Sequence, residues 1–155
     1  MRTSFNNGFT ILEILVVVAI MGFIATLSLT LLPRFRAHQE FQNTREHVYT
    51  LLQETKERAR GSESFTSYGV HLESDSLTIF PGEAYDVASV DNDISELGST
   101  VVIDTISLEG DGSNVVFTRN NGSVEEYGSF IIRDNRNTSR THTFSITQTG
   151  VISVQ

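Results

Sequence analysis

Apolar and polar positions divide the chain into three regimes. From Ile14 to Leu32, nineteen residues run without a charged side chain, about the length a helix needs to cross a hydrocarbon core of roughly 30 Å. After Pro33 the pattern becomes amphipathic: Phe41, Val48, Leu52 and Ala59, with Thr55 between the last two, fall on three- and four-residue steps, as one helix face does. Gly61 is a natural terminator, with Lys56, Arg58 and Arg60 placed to complement the helix dipole. Beyond Gly61 the period shortens to alternating or short apolar runs. It predicts strands at Ser67 to Glu73, Ser76 to Phe80, Thr100 to Leu108, Asn114 to Thr118, Ser123 to Tyr127, Ser129 to Arg133, Thr141 to Thr147 and Val151 to Val154. Ser74-Asp75, Glu109 to Gly112, Asn121-Gly122 and Thr149-Gly150 supply the turns of an antiparallel sheet. The expected fold is α+β. A long N-terminal helix, half transmembrane and half amphipathic, packs its second half through Val48, Leu52 and Ala59 on a β head.

Composition changes this picture in two ways. The mean hydropathy of -0.09 resembles that of a soluble protein only because it averages a very apolar start with a polar remainder. The net charge of -8 is also uneven: residues 34–60 carry six Lys/Arg against four Asp/Glu, whereas residues 61–155 carry four against fourteen. An acidic head repels phosphate backbones and disfavours general nucleic-acid binding. With no cysteine there is no disulfide framework, thiolate metal site or cysteine nucleophile.

The apolar run is too long for an ordinary secretory signal, and it leads into Pro33, Arg34 and Arg36 without a small-residue exit. Charge bias leaves its orientation open, because Arg2 precedes the span and Arg34 and Arg36 follow it. Pro33 is expected to kink the helix or mark its exit from the membrane. Gly22, within the span, is either a tolerated helix glycine or a point of close packing. The anomaly is Glu13, which opens the run: at mid-membrane an acid costs about 2.5–3.5 kcal/mol on insertion scales, so it needs a partner. Gly8-Phe9-Thr10-Ile11-Leu12-Glu13, after a short polar leader, resembles the cleavage and methylation signature of type IV pilins and type II secretion pseudopilins. The resemblance implies cleavage after Gly8, an N-methylated Phe9 as the new terminus, and Glu13 as the acid used in assembly. Removing the leader frees an ammonium on Phe9 that Glu13 of this or a neighbouring subunit can neutralise in low dielectric. Breaking one partner of such a pair costs roughly 3–5 kcal/mol. The stretch from Leu51-Leu52 through Ala59-Arg60 to Tyr68-Gly69-Val70-His71-Leu72 is similar to the helix-to-strand junction of GspH- and FimT-type minor subunits. The division that follows is a leader over 1–8, a membrane and filament-core helix over 9–33, an amphipathic helix over 34–61 and a β head over 62–155.

Other candidate chemistry is sparse. Pro81 to Gly98 reads as a surface loop whose Glu83, Asp86, Asp91, Asp93 and Glu96 offer oxygen ligands to calcium, though not at EF-hand spacing. Arg133, Arg136 and Arg140 flank another loop and form a candidate anion or DNA contact, set against simple balance of nearby acids. His38, His47, His71 and His142 show no metal-ligand spacing, and there is no nucleophile elbow, phosphate loop or dinucleotide fingerprint, so no enzyme is expected.

The resemblance implies a structural subunit, a minor one, of a type II secretion pseudopilus. The alternative is a minor subunit of a type IV pilus or competence filament, with DNA uptake as one role; a third class is a signal-anchored binding head that never polymerises. The filament reading implies other pilin or pseudopilin subunits, the prepilin peptidase and methyltransferase, an inner-membrane assembly platform and membrane lipid as partners. It also implies a single-pass inner-membrane protein with its head outside the cytoplasm.

Overall fold

The computed structural model describes residues 9–61 and 66–155, without the side chains of 28–35. It forms two compact units, residues 1–39 and 40–155. Helix α1 spans Ile11–Arg60 and contributes to both. Helical backbone continues through Pro33, so the proline does not end the helix; its side chain lies outside the described residues.

In the second unit, α1 buries Phe41, Val48, Leu51, Leu52, Thr55 and Ala59. This is the face the amphipathic spacing predicts, with Leu51 added beside Leu52. Thr55 is buried without penalty because its hydroxyl donates to the Leu51 carbonyl one turn back, at 2.8 Å. The helix ends where expected, with the Gly61 N–H donating to the Glu57 carbonyl.

The head contains two four-stranded antiparallel sheets where a single sheet was expected. Strands β1 (Tyr68–Leu72), β2 (Ser76–Pro81), β3 (Asp93–Glu96) and β5 (Asn114–Phe117) form the first, in the order β3-β2-β1-β5. Strands β4 (Val101–Leu108), β6 (Gly128–Asp134), β7 (Asn137–Ile146) and β8 (Ile152–Val154) form the second, in the order β4-β6-β7-β8. Val70, Leu72, Leu77, Val115 and Phe117 of the first sheet and Phe130, Ile132, Phe144 and Ile146 of the second join the α1 face in one buried cluster. At about 25 cal/mol per Å² of apolar surface removed from water, this cluster is the main favourable term for the head.

Two expectations fail locally. Ser123 to Tyr127 is no strand: Val124 makes only an isolated bridge to Phe117, and the chain bends away at Glu125 and Glu126. Conversely, β3 forms inside the segment read as a loop from Pro81 to Gly98, pairing Thr78 with Ile94 and Leu77 with Ser95. Its Asp-Ile-Ser-Glu sequence carries one apolar residue, too little alternation to register as a strand. In β4 the register shifts between Ile103 and Thr105. One extra residue there keeps Ile103 and Leu108, which lie five apart, both buried in the same cluster.

Candidate processing and assembly site

The first turn of α1 is built by Thr10. Its side chain accepts a hydrogen bond from the Glu13 N–H at 3.2 Å, while its carbonyl accepts from Ile14 at 3.2 Å. Thr10 is therefore the N-cap and Glu13 the third helical residue, the Thr-x-x-Glu spacing of a capping box. A carboxylate here meets the positive end of the helix dipole as well as any free terminus nearby. The sequence reading passed over Thr10, although Thr-x-x-Glu before an apolar run was the signal that would have found it. Gly8 lies outside the described residues, so the residue before the proposed cut has no structural account; Phe9 is 80% exposed.

The surface that follows is apolar on every side of the helix. Ile11 is 85% exposed, and Leu12, Ile14, Leu15, Val18, Met21, Phe23 and Ile24 are exposed with it. Helices hydrophobic all round belong in a membrane or a packed assembly. Thr26 suits either, since its hydroxyl bonds back to the carbonyls of Phe23 at 2.8 Å and Gly22 at 3.0 Å and so needs no water. Among the described residues, nothing beyond the backbone of its own helix and its chain neighbours lies within 4 Å of the place a Gly22 side chain would occupy. Among the described residues no helix is long and apolar enough to cross a membrane. The expected span, Ile14 to Leu32, has its last five residues in the stretch whose side chains are not described.

The other candidate sites are drawn apart or already paired. Arg133 meets Asp104 at 3.0 Å, Arg136 meets Glu40 at 3.6 Å, and Arg140 meets the buried Asp134 at 3.6 Å. Arg133 lies in β6 and Arg140 in β7, on either side of the short turn that contains Arg136. Of the calcium candidates, Asp86 accepts the Ala88 N–H at 2.9 Å, Asp93 lies 3.8 Å from Arg58, and Asp91 and Glu96 are exposed. Among the described residues, no three carboxylates or imidazoles cluster as metal ligands would.

The four histidines also separate. His47 bonds Ser95 at 2.6 Å, and His71 bonds Asn114 at 2.7 Å while stacking on Tyr85 with ring centroids 4.0 Å apart. His142 stacks on Phe41 at 4.9 Å, and its Nε2 is buried without a hydrogen-bond partner among the described residues. Burial holds its pKa below the ordinary histidine value, with Arg45 adding to the effect and the Gln155 carbonyl and Glu46 opposing it.

Comparison with known proteins supports both ends of this description. Residues 4–29 match the model of the prokaryotic N-terminal methylation motif. The fold matches the type IV minor pilin FimU of Pseudomonas aeruginosa in two crystal forms. One gives a TM-score of 0.54 at 19% identity, covering 74% of this chain and 91% of that one. The other gives 0.59 at 19% identity, covering 78% and 92%. No curated protein matches the sequence. A methylation motif at the head of a long apolar helix, joined to the fold of a type IV minor pilin, makes this chain pilin-like.

Proposed function

We propose that this chain is a minor structural subunit of a type IV pilus-like filament, cut after Gly8, N-methylated on Phe9 and assembled through α1. The single observation that carries the reading is Glu13. It sits in the first helical turn, four residues after the proposed new terminus, at the start of a helix exposed and apolar on all sides. In water this arrangement is costly; packed among copies of the same helix, each carboxylate can reach a neighbour's terminal ammonium while the apolar sleeve is buried. Insertion in the inner membrane with the head outside the cytoplasm, handling by the prepilin peptidase and methyltransferase, and delivery through an assembly platform complete the reading. The likeness to a type IV minor pilin favours a type IV pilus-like filament. The type II secretion pseudopilus, whose subunits carry the same N-terminal signature, is the second assignment.

Mass spectrometry of the protein purified from membranes tests the reading. The expected species begins at Phe9 and is one methyl group heavier than the unmodified cleaved chain, and Glu13→Gln is still processed but enters filaments poorly. A full-length product beginning at Met1 would overturn it.

A further inference from the structure

The first sheet ends on an open strand beside a cavity. Strand β3 pairs with β2 on one side, and among the described residues no strand borders the other. The Leu97 N–H donates to the Asp75 carbonyl at 2.8 Å, two residues beyond the paired Ser95 and Leu77. Alternation along an antiparallel ladder then turns the main-chain groups of Asp93 and Ser95 toward β2 and those of Ile94 and Glu96 outward. Natural sheets usually protect such an edge with lysine, proline or a bulge. Here Ile94 is 65% exposed, and Val90, just upstream, is 96% exposed.

Between this edge and α1 lies a cavity of about 230 Å³, with Leu51 and Ile79 at its apolar floor and Glu54 and Asp93 among its walls. The segment that carries the edge is acidic, and α1 brings one cation, Arg58, to its two wall carboxylates. The chain has no lysine or arginine between Arg60 and Arg119, while eleven acids fall in that interval. Arg58, from the helix, is 2.6 Å from Glu54 and 3.8 Å from Asp93. Asp91 and Glu96 remain exposed at either end of the strand, and His47, the other titratable wall of the cavity, bonds Ser95.

We propose that β3 is a docking edge for an extended, basic segment of a partner protein. That segment adds as a further strand to the first sheet and places a lysine or arginine side chain in the cavity between β3 and α1. Main-chain hydrogen bonds to Ile94 and Glu96 supply affinity, and the cavity, which receives alternate side chains, supplies specificity. The aliphatic stem lies over Leu51 and Ile79 while the cation reaches Asp93 and Glu54. The same acids select against a second copy of this edge, because two acidic β3 strands side by side repel. The proposal holds whether or not the chain polymerises, so its failure and that of the filament reading are separate results.

The test uses the detergent-solubilised full chain and three fluorescent peptides read by anisotropy. The first alternates threonine and valine around a central lysine, the second carries glutamate at that position, and the third is the lysine peptide with methylated main-chain nitrogens. The lysine peptide should bind at least about tenfold more tightly than either of the others. Ile94→Pro removes an outward N–H while sparing the pairing with β2, and should abolish binding with the circular dichroism spectrum unchanged. Asp93→Lys with Glu96→Lys should reverse the preference toward the glutamate peptide. Equal binding of the lysine and glutamate peptides, or full binding by a folded Ile94→Pro variant, would overturn the proposal. So would concentration-dependent self-association abolished by Ile94→Pro, which would assign the edge to a second copy of this chain.

Discussion

A methyl group added at Gly69 would meet the Phe80 ring at 2.3 Å, because that ring lies flat over the β1 backbone where other residues carry a side chain. Phe80 is buried there, on the face of the first sheet opposite the main cluster, with Tyr85 tilted against it at 5.4 Å. Gly69→Ala should therefore destabilise the head by about 1–3 kcal/mol through overpacking. Urea denaturation checks this, and adding Phe80→Leu should restore part of the loss by clearing the space. His142 sets a pH dependence. Its folded pKa lies below the ordinary value of 6.5, so the unfolded chain binds the proton more readily. The penalty is absent well above pH 6.5, grows as pH falls through that value, and levels off below the depressed folded pKa. The melting temperature should accordingly drop on acidification from neutral pH more in the native chain than in His142→Gln.

At the scale of elements, α1 carries two different surfaces on one continuous helix. Leu52 and Val48 are fully buried in the second unit, and Leu52→Ala should cost the head about 2–5 kcal/mol, read from the denaturation midpoint. Ile14→Ala, from the exposed sleeve, should leave that midpoint unchanged and weaken filament incorporation. In β4 the extra residue at the register shift is equally specific. Deleting Asp104 should turn either Ile103 or Ile106 and Leu108 to the wrong face, since a one-residue slip inverts every side chain beyond it. The expected result is loss of cooperative thermal unfolding by circular dichroism. The deletion also removes the Arg133 partner, so Asp104→Asn, which keeps the residue count, is the control and should unfold cooperatively.

Over the whole molecule, charge is unevenly placed: the four basic residues after Gly61 lie at or beyond Arg119, while the charged Lys, Arg, Asp and Glu positions within the strands of the first sheet are all acidic. Arg133, Arg136 and Arg140 each face a carboxylate, so the solubilised chain should not retard duplex DNA at physiological salt. A salt-sensitive shift lost on replacing all three arginines would instead favour a role in DNA uptake.

The N-terminal motif and the helix were legible in the residues alone because their signals are local. A carboxylate four residues after an aromatic, a charge-free run and an apolar face at three- and four-residue steps need no distant partner to be recognised. Most strands were legible for the same reason, through alternation between turn residues. Three features depended on tertiary structure: the division of eight strands into two sheets, the recruitment of Asp93–Glu96 as an edge, and the demotion of Ser123 to Tyr127 to a bridge. Pairing between strands is decided by which neighbour offers free main-chain groups and an apolar face, and a single strand's residues do not encode that choice. The arginine partners followed from it as well, since Asp104 meets Arg133 only once β4 and β6 are in register.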